Sequence, residues 1–183
     1  MGSDSYYPHE DGLLAERKLL IGSPIDDQSA TTTIAKLLYL NKQEPNAPIT
    51  LYIDSIGGSA TASLAIIDTI TEVHAPIHTR SNRFCQGSAF LILAVGRRGQ
   101  RYATADTILS IERTILRSPD PENRALFYLD SLNERMARTF SAHSRLTHKL
   151  ALEALTKGRQ FTAAEALAAG IVDFITEPEN DKH

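Results

Sequence analysis

The 183-residue sequence contains one cysteine, Cys85, so no disulfide can form within the chain. No set of His, Cys, Asp and Glu has the spacing of metal ligands, which with the lone thiol fits a reducing compartment and gives no metal or cofactor to expect. An excess of positive charge is also lacking: 19 Lys and Arg against 22 Asp and Glu leave a formal net charge of −3. Without a cationic field a nucleic-acid or anionic-membrane surface has no electrostatic support, and neither partner is expected. No apolar run approaches the length of a membrane span, and residues 1–17 are acidic and polar where a secretory leader would be basic and then apolar. A cytoplasmic location is the expectation. What is present suits one globular domain: 42% hydrophobic and 22% charged residues, enough for one sizeable core and too few for two ordinary domains.

Apolar periodicity places the elements. Lys18–Gly22 and Ile49–Asp54 are short apolar runs stopped by turn residues and read as strands. Between them, Ile34, Leu37, Leu38 and Leu40 give Gln28–Asn41 a helical spacing, ended by Glu44, Pro45, Asn46 and Pro48. The order recurs with a helix over Ser59–Val73, a strand over Pro76–Arg80 and an apolar helix over Ser88–Val95 closed by Gly96. Strand–helix alternation of this kind implies parallel pairing with crossover helices. Arg101–Ala103 and Thr107–Ile111 are further strand candidates. From Glu122 to His143, Leu126, Leu129, Leu132, Met136 and Phe140 recur every three or four residues for about six turns, longer than so small a domain can cover. Helices over His148–Lys157 and Thr162–Ala169 follow, the second with Thr162 and Glu165 as a capping box, and Ile171–Ile175 reads as a closing strand. Glu177–His183 reads as a frayed tail.

Four segments, LLAERKLLI, LYIDSIGGSATASLAIIDTI, AFLILAVGRRGQRYA and QFTAAEALAAGIVDFI, together resemble the ClpP family of Clp-type serine peptidase subunits. The resemblance spans about residues 12–176. Its most specific parts are a strand running into S-x-G-G and a helix, and a strand-to-helix elbow followed by G-x-R-Y. It implies an α/β, ClpP/crotonase-like fold over 18–176 with a protruding helical handle at about 122–143. It also implies rings of seven subunits stacked through the handles, and a AAA+ ATPase as partner. Residues 1–17 become an N-terminal segment in which Tyr6 and Tyr7 fall where the family has its axial loop; a plain disordered tail is equally open there.

Peptidase chemistry of this type needs a hydroxyl nucleophile on a tight elbow, a base within reach and an acid that orients the base. Laid without gaps on Gly96, Gly99, Arg101 and Tyr102, the family pattern puts the nucleophile at Gly87, the base at Glu112 and the acid at Gly158. None of the three suits its role: glycine carries no nucleophile, and a carboxylate is a far weaker proton acceptor than an imidazole. The expectation is therefore a proteolytically silent, ClpR-like subunit that completes a ring with active ClpP-type subunits, with the ATPase engaging those partners. Two other readings stay open: a peptidase with a relocated nucleophile, Ser88 or Cys85, and a crotonase-like enzyme acting on an acyl thioester. His74, His78, His143 and His148 are read as surface or packing residues, and Cys85 as a buried inert thiol.

Part of the oxyanion apparatus is expected to persist in Gly57, Gly58 and the Ser88 amide, although a Gly-Gly turn is also what a reversing strand requires. The family's Pro in that turn is Ile56 here. The glycines that follow the family's base position are missing too, so 113–119 is not expected to hold peptides in the usual way. The family's ATPase-docking groove maps onto Thr50, Tyr52, Glu72, Arg80, Asn82, Tyr102, Thr104 and Thr176, of which only the two tyrosines keep its apolar character.

Overall fold

The computed structural model describes residues 10–112, 114 and 124–177. In chain order the elements are α1 (Glu10–Ala15), β1 (Lys18–Ile21), α2 (Asp27–Gln43), β2 (Ile49–Ile53), α3 (Ala60–Glu72), β3 (Ile77–Ser81), β4 (Phe84–Gln86) and α4 (Ser88–Val95). The chain continues through β5 (Arg101–Thr104), β6 (Ile108–Ile111), α5 (Arg124–Ala142), α6 (His148–Lys157), β7 (Arg159–Phe161), α7 (Ala163–Ala168) and β8 (Phe174–Thr176). Five strands form one parallel sheet in the order β1-β2-β3-β5-β8, and β4-β6-β7 form a second, in which β4 and β6 are parallel and β7 is antiparallel. This is the expected mixed α/β architecture with crossover helices.

Local chemistry accounts for the boundaries. Asp26 caps α2 reciprocally with Ser29: its Oδ1 accepts from the Ser29 amide at 2.7 Å, and Ser29 Oγ accepts from the Asp26 amide at 2.9 Å. Ser59 and Thr162 cap α3 and α7, the latter with the expected reciprocal bond to Glu165. All eight residues of α4 are buried, so this helix has no polar face and lies at the centre of the domain. Phe90 from α4 meets Phe140 from α5 and Phe161 from β7 at ring distances of 5.7 and 5.5 Å, tying the long helix and the second sheet to one core.

Three expectations shift. The closing strand is Phe174–Thr176, not Ile171–Ile175; Ile171 and Val172 are buried in the connection, where Gly170 at φ +66° turns the chain into the core. β6 falls on the expected Thr107–Ile111 strand, whereas its partners β4 and β7, and α1 inside the N-terminal segment 1–17, are short elements with little periodicity to reveal them. The long helix runs to Ala142, with residues 122–123 outside the described part, as are Tyr6, Tyr7 and the tail from 178. Its C-terminal half is anchored: Met136, Ala137 and Phe140 are buried, and Arg135 pairs with Asp68 of α3 at 2.5 Å.

Candidate active-site cleft

The second sheet assembles the site through its register. β4 pairs in parallel with β6, Gln86 opposite Ser110, so the residues leaving these strands, Gly87 and Glu112, emerge at the same end. β7 runs antiparallel to β6 with Arg159 opposite Ile111, which sets Gly158 beside Glu112. The three positions named from sequence therefore converge. A Cβ built on Gly87 would stand 3.8 Å from Glu112 Oε1, and one on Gly158 would stand 3.9 Å from Glu112 Cβ. They line a cleft of about 880 Å³ with Pro24, Ile56, Gly57, Gln86, Thr114, Met136, Leu155 and Lys157 among its walls.

Gly87 forms a sharp strand-to-helix elbow at φ +55°, ψ −129°. That conformation favours glycine, and an L side chain there costs on the order of 1–2 kcal/mol. Glu112 is exposed on the cleft wall and makes no hydrogen bond or ion pair with any described residue. Gly158 closes α6 in the left-handed region at φ +64°, its amide donating to Leu155 O at 3.2 Å.

The relocated nucleophiles fare differently from the mapped positions. Ser88 is only 5% exposed, and its Oγ accepts a 2.7 Å bond from Ser63 Oγ of α3, itself fully buried, so the hydroxyl is engaged in the α3–α4 contact. Ser63 was not singled out from sequence; it is a polar residue inside an otherwise apolar helix stripe, which is the one signal it gives. Cys85 is fully buried in β4, and burial pushes its thiol up, above the ordinary range, against a smaller opposing effect of a Ser81 hydrogen bond. None of the histidines lines the cleft among its described residues. His143 Nδ1 lies 2.9 Å from Thr139 O, and His148 Nε2 lies 3.0 Å from Glu134 Oε1. His78, on the open face of the main sheet, is held below its usual pKa by burial and then by Arg97 and Arg80.

The Gly-Gly turn has a packing reason as well as a chemical one. A Cβ on Gly58 would lie 2.2 Å from Ile25 O, and one on Gly57 would lie 2.7 Å from Gln86 O. The Gly57 amide donates to Ser55 Oγ at 3.1 Å, and Gly57 O accepts from Ile25 N at 2.9 Å. The Gly57 N–H is thus engaged by Ser55 Oγ in this structure. The Gly58 N–H is outside the bridge to Ile25, and the Ser88 N–H stands at the first position of α4, where no preceding turn accepts from it.

Asn133 of α5 also escaped the sequence reading. Its Oδ1 accepts from Thr114 N at 2.8 Å and its Nδ2 donates to Thr114 O at 3.2 Å, fixing the backbone two residues beyond Glu112. The side chain satisfies both main-chain groups as a neighbouring strand would.

Of the mapped groove positions, Thr50, Tyr52, Arg80, Tyr102, Thr104 and Thr176 lie on strands of the main sheet, Glu72 ends α3 and Asn82 follows β3. Register aligns Tyr52, Arg80, Tyr102 and Phe174 in one row, and Thr104 with Thr176 in the next. The Arg80 guanidinium lies over the Tyr102 ring at 4.3 Å, and Tyr102 stacks on Phe174 at 5.1 Å. Thr104 is buried, donating to Asn82 O at 3.1 Å, while Thr50 is half-buried and Glu72 exposed at the end of α3.

The strand-to-helix elbow at Gly87, with the Ser88 N–H on its helix side, thus faces the ends of β6 and α6 across one α/β cleft. Comparison with known proteins gives the family. The Clp protease family matches residues 2–179. Among similar proteins, the ATP-dependent Clp protease proteolytic subunit 1 of Nocardia farcinica is 31% identical over 173 residues, covering 91% of this chain and 86% of that protein. The ATP-dependent Clp protease proteolytic subunit 2 of Streptomyces avermitilis is 34% identical over 174 residues, covering 88% and 82%. The chain belongs to the Clp protease family, among its proteolytic subunits. No helix of the described residues is long and apolar enough to cross a membrane.

Proposed function

We propose that this chain is a non-catalytic, ClpR-like subunit of a cytoplasmic ATP-dependent Clp protease complex, a structural and regulatory partner of active ClpP-type subunits in a ring. The observation that carries the reading is the meeting of Gly87, Glu112 and Gly158 in one cleft, with no hydroxyl, imidazole or second carboxylate at the three positions. The supporting geometry is kept, with its elbow, cleft and central helix, while the reacting groups are gone. Packing and assembly need the former, and only catalysis needs the latter. The relatives' names, proteolytic subunits of an ATP-dependent protease, supply the ring and the ATPase as the setting.

On this reading the outer sheet face is a poor seat for an apolar ATPase loop. Such a loop would gain roughly 25 cal/mol per Å² buried, but seating it beside Arg80 and Glu72 strips water from charges at a cost of several kcal/mol. The ATPase therefore docks on the active partners.

The test is hydrolysis of short fluorogenic peptides and unfolded casein by the purified chain, followed by native mass spectrometry with and without an active paralogue. Neither substrate is cleaved, and mixed rings form. Cleavage that Ser88→Ala abolishes would overturn the reading in favour of a relocated nucleophile. Turnover of an acyl thioester would move the chain to the crotonase-like class.

A further inference from the structure

We propose that the cleft is a binding slot for the cationic head of a lysine or arginine side chain presented by an extended peptide, held without being cut. The inference is independent of ring assembly and goes beyond loss of catalysis, because it gives the vacated positions a ligand.

Outside its chain neighbours Gln86 and Ser88, the polar atoms nearest the point where a Gly87 side chain would begin are two acceptor oxygens. Ile56 O lies 3.4 Å from it and Glu112 Oε1 3.8 Å. One of the two belongs to a carboxylate side chain. Of the charged side chains on the described cleft wall, Lys157 is paired with Glu153 at 2.5 Å, whereas Glu112 has no partner among the described residues. An unpaired carboxylate beside an unfilled volume attracts a cation with hydrogen-bond donors, and charge-assisted bonds of this kind are about twice as strong as neutral ones.

The walls select what carries that cation. Pro24, Ile56, Met136 and Leu155 supply aliphatic surface around the polar end. A long side chain with a methylene stem and a charged tip matches both, its stem against carbon and its head at Glu112 and Ile56 O. The rest of the cleft suits a peptide backbone. The Ser88 N–H, at the first position of α4, is a main-chain donor among the cleft residues, and Asn133 fixes the backbone of Thr114, which also lines the cleft. The cleft's volume, about 880 Å³, has room for several residues of an extended chain. Gly87 and Gly158 are integral to this slot: a side chain at either would fill space next to Glu112. The glycines that remove the catalytic groups also open room for a ligand side chain.

The experiment uses the full chain and fluorescein-labelled ten-residue peptides, identical except for a central lysine, acetyl-lysine or glutamate, read by fluorescence anisotropy at low salt. The lysine peptide binds saturably and at least tenfold tighter than the acetyl-lysine peptide, which has the same stem without the charge, and the glutamate peptide binds weakest. Glu112→Gln brings lysine and acetyl-lysine binding together. Because Glu112 is exposed and has no partner among the described residues, this variant keeps its fold, checked by its melting temperature. Gly87→Ala, which blocks the slot and leaves the charge, weakens the lysine peptide selectively. Equal binding of lysine and acetyl-lysine, a lysine preference that survives Glu112→Gln, or absence of saturable binding to any peptide would each overturn the proposal. None of these outcomes depends on whether the chain cleaves peptides or joins a ring.

Discussion

The Arg101 guanidinium and the Asp173 carboxylate form a nearly buried bidentate pair: Arg101 Nε donates to Asp173 Oδ2 at 2.8 Å, and NH2 donates to Oδ1 at 2.7 Å. The same Oδ2 accepts from the amides of Gly99, Gln100 and Arg101, at 2.7, 3.1 and 3.1 Å. Arg101 NH1 reaches the carbonyls of Ala94 and His143, at the ends of α4 and α5. This one pair joins the β5 turn, the entry to β8, the central helix and the foot of the long helix. The G-x-R-Y segment that marks the family in the sequence thus has a structural role, since Gly99 at φ +83° forms the turn that aims three amides at Asp173.

Asp173→Asn should cost about 3–5 kcal/mol, because Arg101 is only 3% exposed and would keep a charge without its counter-ion. Thermal unfolding should fall by on the order of 10 °C in a chain of this size. The pH dependence has a definite sign. Burial alone would raise the Asp173 carboxyl, but the hydrogen bonds and charge of Arg101, with the Gly99 and Arg101 amides, hold it below the ordinary value. A carboxyl lowered on folding stabilises fully above its unfolded value of about 3.9 and loses that contribution as pH falls through the folded value. The gap in melting temperature between wild type and Asp173→Asn should be level above about pH 5 and narrow below about pH 4. A gap that widens on acidification would refute the assignment.

Gly58→Ala should be severely destabilising. The new Cβ would lie 2.2 Å from Ile25 O and 2.8 Å from Ile25 N, both main-chain atoms, in a backbone at φ +154°. Neither atom can yield without breaking the bridge in which Ile25 N donates to Gly57 O and Ser59 N donates to Ile25 O. A loss of several kcal/mol is expected, at the upper end for single substitutions. Chemical denaturation measures it directly. Gly99→Ala, with open space around its Cβ, is the contrast: it pays only the backbone strain at φ +83°, about 1 kcal/mol.

The sequence made the parallel strands and their helices legible because each carries a full period: Ile49, Leu51 and Ile53 alternate inward, and Leu64, Ile67 and Ile70 repeat along one helix face. Gly87, Glu112 and Gly158 were placed by motif spacing, and the register of β4, β6 and β7 explains why they meet. What stayed hidden was long-range and polar. Asn133 clamps Thr114 across 19 residues and Ser63 reaches Ser88 across 25, and no local pattern announces such pairs. The spent amide of Gly57 was equally out of reach, because it depends on where Ser55 Oγ points.

Ser88→Ala should lower stability. Removing the Ser88 hydroxyl deprives Ser63 Oγ of its acceptor in a site without solvent, which costs about 1–3 kcal/mol. The double variant Ser63→Ala with Ser88→Ala should recover most of that loss, because no polar group is then left unpaired. A double-mutant cycle by urea denaturation reads the coupling. A double variant as unstable as the sum of the two singles would show that the hydroxyls do not depend on each other.

The long helix α5 divides into an anchored half and a half that needs a partner. Met136, Ala137 and Phe140 are fully buried and Arg135 is tied to Asp68, whereas one to two turns earlier Leu129 and Leu132 are only half covered and Tyr128 is 56% exposed. An apolar stripe that runs past the core leaves surface that a second subunit would cover. Leu129→Asp with Leu132→Asp should abolish self-association or assembly with an active paralogue, at a cost to the isolated domain on the order of 1–2 kcal/mol because Leu132 touches the core margin. Met136→Asp places a charge in a site 1% exposed and should unfold the domain instead. Sedimentation velocity and circular dichroism separate the two outcomes. A Leu129/Leu132 variant that is folded and still assembles, or a wild-type chain that stays monomeric at micromolar concentration with active paralogues present, would show that this face does not carry the assembly.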